Sequence, residues 1–287
     1  MARKRKGEPI HGWIVLDKPA GMTSTQALSK VRRHLNAEKA GHGGTLDPIA
    51  TGILPIALGE ATKTVSYAMD GEKTYRFTVA WGTRTTTAVL GFIEQTPPQF
   101  CALKINGERA YDIAREGEVV DIAPRTVRID RLELIEIPDA DHAVLEVDCG
   151  KGTYVRSIAR DLAERLGTVG HIRDLRRLRV GSFTLDGAIS LDDLTAMEQG
   201  AAVERLLLPI ETALDDIPAL ALTDAEAHRL KHGQTVALLT RQDRERLTAL
   251  RGDVGGDGTV IALFGGKPVA LARVEGAEIR PVRVLNL

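Results

Sequence analysis

The residues with the clearest chemical potential lie in Ala40-Gly41-His42-Gly43-Gly44-Thr45-Leu46-Asp47-Pro48-Ile49-Ala50-Thr51-Gly52. Three glycines precede one acid, and a proline follows it. Glycine permits backbone conformations closed to other residues and lets a chain lie close to a ligand. Pro48 drives Asp47 toward an extended conformation, away from the helical region. The pattern predicts an ordered loop that presents one carboxylate, with His42 nearby. A lone ionised carboxylate can serve as a nucleophile or an electrostatic partner. The same residues also suit a turn in which Asp47 caps its own backbone. On chemistry alone the two readings stand level.

A second candidate is Gly150-Lys151-Gly152-Thr153-Tyr154-Val155-Arg156. It reads as a strand end, a glycine turn and a helix start, and a helix N-terminus favours anions. The G-x-x-x-x-G-K-[ST] spacing of a P-loop is absent. Basic residues gather at Arg3 to Lys6, at Arg32-Arg33 and at Arg173, Arg176, Arg177 and Arg179. Such clusters form either a phosphate-binding face or an ordinary solvated surface. Tyr75 opens an alternating strand, so its ring belongs either to the core or to the edge of a site.

The elements around these residues follow from periodicity. Trp13 to Leu16 is a short buried strand that ends at Asp17-Lys18-Pro19-Ala20-Gly21. Ser24 caps a helix to about Leu35, with Ala27, Leu28, Val31 and Leu35 at helical spacing. Ile53 to Leu58 is a strand or buried segment, and Glu60 to Met69 is helical. Tyr75, Phe77, Val79 and Trp81 alternate with smaller or polar residues, which predicts a half-buried strand. Thr83 to Gln99 reads as loop. Asn106-Gly107 is a hairpin cue, and Arg109 to Glu116 is a short helix carrying Tyr111 and Arg115. Leu145, Val147 and Cys149 make another strand. The helix that follows has the stripe Ile158, Leu162 and Leu166 and ends at Gly167. Ser190 caps a helix to about Gln199. Pro209 to Pro218 is a connector. Thr223 opens a capping box, Thr259–Phe264 and Pro268–Val274 form a hairpin, and Arg280 to Leu287 is a last strand.

Of the 287 residues, 43% are hydrophobic and 27% charged, with a formal net charge of -1. That composition suits a globular chain of one large and one small domain. We place the large domain at 1–215, with a basic tail at 1–9, and the small one at 220–287. Cys101 and Cys149 are too few for a disulfide framework and lie in no zinc-like spacing. The apolar run after the basic N-terminus is too short for a signal core or a membrane span. A cytoplasmic monomer without a zinc site or membrane contact is expected.

Four stretches together resemble the TruB family of tRNA pseudouridine-55 synthases. They are Leu16 through Ser24, Gly41 through Pro48 with Ala50-Thr51-Gly52, Lys151 through Arg156, and His171 through Leu178. The resemblance implies an α+β fold: a mixed α/β catalytic domain around an antiparallel sheet, plus a small, mostly β, PUA-like C-terminal domain. It implies conversion of a uridine in the T-loop of tRNA to pseudouridine, with the T-arm as partner and no metal or organic cofactor. Asp47 matches the catalytic aspartate and Arg156 the arginine that pairs with it. Tyr75 and Tyr154 match aromatics that contact the base, and Leu175 lines the base pocket. His42 matches a histidine that holds the rearranged T-loop, and Lys18 with Pro19 a motif that buttresses the site. Arg176 and Arg177, with Arg173, are the candidate phosphate contacts. The chain departs from the family at Gly82-Thr83-Arg84-Thr85-Thr86-Thr87-Ala88-Val89-Leu90-Gly91, where relatives read G-x-x-T-D-T-x-D-x-x-G. Both acids are missing, as is the longer stretch before Ile93-Glu94-Gln95-Thr96-Pro97.

Two other classes compete. A non-catalytic RNA chaperone of the same fold would keep the basic face and have no use for the Asp47–Arg156 pair. A glycoside hydrolase would need a second carboxylate across the bond, and no partner for Asp47 stands out.

Overall fold

Strand β1 (Gly12–Lys18) carries the apolar run Trp13 to Leu16, enclosed on both faces, with Trp13, Ile14 and Leu16 fully buried. That is the pattern of a central strand. The computed structural model describes residues 7–81, 91–99, 101, 103–105, 108–115, 117, 121–198, 201–250 and 258–287. The first residues of the basic tail, the Gly82–Leu90 stretch and the Asn106-Gly107 hairpin cue lie outside them.

Helix α1 (Ser24–His34) follows β1. Its N-cap is Thr23, in a capping box with Gln26, rather than the expected Ser24. Ser24 is buried and turned toward the Asp47 loop. The short strand β2 (Ala40–His42) leads into that loop, and β3 (Thr51–Leu58) leaves it. Residues 60–69 divide into a 3-10 turn (Gly59–Lys63) and helix α2 (Val65–Asp70). Strand β4 (Lys73–Trp81) carries Tyr75, with Phe77 and Val79 buried as the alternation requires.

The expected loop at 83–99 contains a strand instead. β5 (Gly91–Gln95) pairs with the start of a 15-residue strand, β8 (Arg125–Asp139). A five-residue strand beside two prolines has too few periods to register in sequence. Between them lie two short antiparallel strands, β6 (Lys104–Ile105) and β7 (Glu108–Arg109), and helix α3 (Ala110–Arg115). Strand β9 (His142–Cys149) and helix α4 (Val155–Arg165) follow, joined by the 150–154 turn. Gly167, at φ 70°, ends α4, and the Thr168 N–H closes back on the Ala163 carbonyl. Strand β10 (Gly170–Val180) holds the arginine cluster. β11 (Phe183–Thr184), β12 (Ala188–Ser190) and helix α5 (Leu191–Ala196), capped by Ser190, close the region.

The large sheet runs β12-β1-β3-β10-β4-β9-β8-β5, with β2 on β3 and β11 on β10. β1–β12 and β3–β10 pair parallel; its other pairings among the described residues are antiparallel. The parallel seam, Thr51 beside Arg176 and Gly52 beside Arg177, joins the strand after Asp47 to the strand of Leu175. After helix α6 (Ala201–Glu204) and a 3-10 turn (Ile210–Leu214), a second sheet forms. It comprises β13 (Ala219–Ala221), β14 (Val236–Ala237), β15 (Thr259–Phe264), β16 (Lys267–Glu275) and β17 (Glu278–Val284). Helices α7 (Asp224–Lys231) and α8 (Arg241–Leu250) accompany it, around a separate core that includes Leu230, Val260, Ala272 and Ile279. The architecture is therefore α+β, a mixed sheet with helices plus a smaller β-rich unit.

Candidate active site

The Asp47 loop is pinned at nearly every residue. The Gly43 N–H donates to the Pro55 carbonyl at 2.8 Å. Arg177 donates to the Gly44 carbonyl at 3.1 Å and to the Thr45 carbonyl at 3.4 Å. The Ser24 hydroxyl accepts from the Leu46 N–H at 2.8 Å and donates to the Leu46 carbonyl at 3.1 Å. The Gly21 N–H reaches the Pro48 carbonyl at 2.8 Å, and the Ala50 N–H reaches the Asp47 carbonyl at 3.1 Å. The loop then enters β3 at Gly52, at φ 100°, where a Cβ would lie 2.1 Å from the Arg177 carbonyl oxygen. Only glycine allows both that conformation and that approach. The carboxylate is thus held in place before any ligand arrives.

Arg156 comes from the first turn of α4, and its Nε stands 2.7 Å from Asp47 Oδ2. Both side chains are partly open, at 23% and 31% exposure, into a cleft of about 430 Å3 including its mouth. Tyr75, Tyr154 and Leu175 form its aromatic and apolar walls. Thr45, Leu46, Thr153 and Val155 complete the lining. Burial pushes both tyrosine phenols up, Tyr75 against the pull of the neighbouring Arg177, and Tyr154 with the buried Cys101 thiol adding to the effect. Neutral rings can stack on a base and donate hydrogen bonds. The Arg125 guanidinium lies 4.9 Å from the Tyr154 ring centroid and donates to the Gly152 carbonyl at 2.9 Å. Its cationic face supports the ring from one side.

The remaining sequence-predicted residues are placed around this cleft rather than in it. Lys18 is wholly buried, and its ammonium donates to the Pro19 and Met22 carbonyls at 2.8 and 2.9 Å. Burial, aided by Arg177, brings its pKa down to about 8. It braces the β1–α1 turn whose Gly21 N–H holds the Pro48 carbonyl, a place beside the cleft rather than in its lining. His42 ends β2, outside the cleft lining. Burial, then Arg177, lowers its pKa, and its Nδ1 has no hydrogen-bond partner among the described residues.

Arg177 is a correction. It is 1% exposed and donates from Nε to the Ile53 carbonyl at 2.7 Å, besides its bonds to Gly44 and Thr45. In a strand, residues two apart share a face, so Arg177 points inward with Leu175 and is unavailable to phosphate. Arg176 faces the other way and forks onto Asp17, at 3.0 and 2.7 Å. Arg173 is the open member, its side chain 59% exposed.

The sequence reading missed Ser24, Gly21, Arg125 and Gln95 as supports of the site. Ser24 and Gly21 lie inside the segment already singled out before α1. Gln95, fully buried, lies in the Ile93 to Pro97 segment named above, but its partner, Tyr154, is 59 residues away and could not be read from that segment.

Comparison with known proteins places this geometry in a family. The family model "TruB family pseudouridylate synthase (N terminal domain)" matches residues 32–90 and 87–155. The two runs overlap at 87–90, inside the stretch that lacks the two acids. A second, "tRNA pseudouridylate synthase B C-terminal domain", matches 156–215 and ends before β13. The chain is 49% identical to the tRNA pseudouridine synthase B of Caulobacter vibrioides over 313 aligned positions, covering all of both chains. It is 48% identical to the enzyme of that name from Rhodospirillum rubrum over 312, again covering all of both. In structure it is similar to the matching chain of a Cbf5-Nop10-Gar1 complex, with 25% identity and a TM-score of 0.75 over 96% of this chain and 85% of that one. A chain of an H/ACA RNP bound to a substrate RNA shares the fold, with 24% identity and a TM-score of 0.74 over 100% of this chain and 92% of that one. A loop-borne aspartate paired to an arginine under two tyrosines, with relatives matched end to end, makes this chain a member of the TruB family of pseudouridylate synthases.

Proposed function

We propose that this cleft isomerises uridine 55, in the T-loop of tRNA, to pseudouridine. Family membership makes the chain an isomerase of tRNA uridine; the position, the T-arm as the bound element and the roles of individual residues are our reading. The observation that carries it is the Asp47–Arg156 pair, 2.7 Å apart, at a cleft walled by Tyr75, Tyr154 and Leu175.

The reaction breaks the bond between ribose carbon 1′ and uracil nitrogen 1, turns the base, and joins carbon 1′ to carbon 5. Carbon 5 loses its proton and nitrogen 1 ends with one, so nothing is gained or lost overall. Asp47 supplies the negative charge at the reacting atoms, and Arg156, 2.7 Å away, aims it. The cleft is recessed, so the target base must leave its stack at a cost of about a few kcal/mol, offset by stacking on Tyr154. Leu175 fills the apolar side of the base. Neutral His42 meets the rearranged T-loop beyond the cleft mouth, and Arg173 and the edge of Arg176 meet phosphates. The C-terminal sheet acts as a PUA-like grip on tRNA outside the T-arm.

Asp47→Asn should abolish pseudouridine formation on a T-arm stem-loop while RNA affinity stays within about tenfold, roughly 1.4 kcal/mol. Turnover near wild type in that variant would end the assignment. RNA binding without turnover by the wild-type chain would favour the chaperone reading.

A further inference from the structure

We infer that Gln95 is a positioning residue for the reaction, setting the first turn of α4 and through it both Tyr154 and Arg156. The inference rests on the reading of the cleft given above.

Gln95 is the last residue of β5, at the far edge of the large sheet, and is 0% exposed. A buried amide must satisfy both of its ends. Here both ends go to one residue. Oε1 accepts the Tyr154 N–H at 2.8 Å, and Nε2 donates to the Tyr154 carbonyl at 3.2 Å. The next residue continues the clamp: the Thr96 carbonyl accepts the Ser157 hydroxyl at 2.8 Å and Arg160 Nη2 at 2.9 Å. The last residue of β5 and the one after it therefore grip the first two turns of one helix.

That helix needs an external reference. Most helices orient their first turn with a side-chain cap, but Tyr154 is the N-cap of α4 and makes no side-chain capping bond. Its backbone is extended, at φ -103° and ψ 111°, which sends the ring toward the cleft. Arg156 follows two residues later, within the same turn, and meets Asp47. Rotation of this turn would carry the ring and the guanidinium off target together. Across the strand, Gln95 pairs with Arg125, the residue that supports the Tyr154 ring from its face. Strands β5 and β8 thus brace Tyr154 at its backbone and at its side chain.

The test is steady-state turnover of a T-arm stem-loop by the full chain, expressed per folded enzyme from near-ultraviolet circular dichroism. Gln95→Met, which fills the space and makes neither bond, should lower kcat about ten- to a hundredfold, the scale of a misplaced catalytic group, with stem-loop Kd within about twofold. Gln95→Glu, which keeps the acceptor for the Tyr154 N–H, should fall between Met and wild type; it carries the test alone if the Met variant does not fold. Combined with Arg156→Met, either change should cost less than the product of the single losses, because the aimed arginine is already gone. Wild-type kcat in the folded variants, or losses that multiply, would overturn the proposal. Arg156→Met at wild-type turnover would overturn the reading of the cleft and this inference together, whereas a defective Arg156→Met beside unaffected Gln95 variants would overturn this inference only.

Discussion

Asp47 and Arg156 meet across the sheet because a glycine-rich loop and a helix start open into one cleft. Removing Arg156 leaves the Asp47 carboxylate without the group that aims it. Arg156→Met should lower kcat on a T-arm stem-loop about ten- to a hundredfold. Arg156→Lys should recover only part of that loss, since it returns the charge without the planar guanidinium. A wild-type rate in the Met variant would show that the pair does not act together. Lys18 offers a pH signature. Its pKa is about 8 in the folded chain against 10.5 as the ordinary value. Between these pH values the unfolded chain binds more protons, so stability rises with pH. Lys73, also lowered to about 8 by burial, has the same sign. Cys149, pushed up to about 12, opposes both above its ordinary value of 9.0. Lys18→Met should therefore show a shallower rise in stability from pH 8 to 9 than wild type in urea titrations at fixed pH. Equal slopes would count against a buried ammonium.

At the scale of elements, the parallel seam between β3 and β10 decides how closely the Asp47 loop can sit to the strand of Leu175. Gly52 combines a φ of 100° with a Cβ position 2.1 Å from the Arg177 carbonyl oxygen, so alanine there meets strain and backbone overlap at once. Gly52→Ala should cost of the order of 3 kcal/mol or more. Gly21, at φ 77°, has nothing within 4 Å of a built Cβ, so Gly21→Ala meets only the conformational strain, about 1 kcal/mol. Urea unfolding of the two variants checks the difference. Similar costs would mean that the strands part easily at the seam.

For the molecule as a whole, the second sheet has its own core, yet the chain end returns to the first. Leu285 packs in the cluster of Trp13, Phe183 and Ile210. Lys63 donates to the Val284 carbonyl at 2.7 Å, and Glu60 accepts the Asn286 N–H at 2.8 Å. Leu285→Ala should cost about 2–4 kcal/mol through the cavity it leaves. Truncation after Asp216 should lower thermal stability for the same reason. It should also weaken binding of full tRNA more than of a T-arm stem-loop if the module grips RNA outside the arm. Equal weakening of both RNAs, measured by filter binding, would give the module a purely structural role.

What the sequence alone determined was local. Glycine spacing around Asp47, the alternation of Tyr75, Phe77 and Val79, the apolar stripe of α4 and the Thr223 capping box each express a preference that a few neighbouring residues settle. The four motifs also carried the family, since their residue types and order need no fold to be read. What the tertiary structure decided was which side chains lose access to water and which partners they find across the sheet. Four arginines in one stretch look alike in sequence. Strand alternation and the seam bury Arg177 under the Asp47 loop, tie Arg176 to Asp17 and leave Arg173 open. Gln95 stands in a segment the sequence singles out, but its partner on α4 does not show there, because the contact exists only where β5 meets α4. Backbone carbonyls and buried amides find their partners by topology, and short-range periodicity holds no record of that.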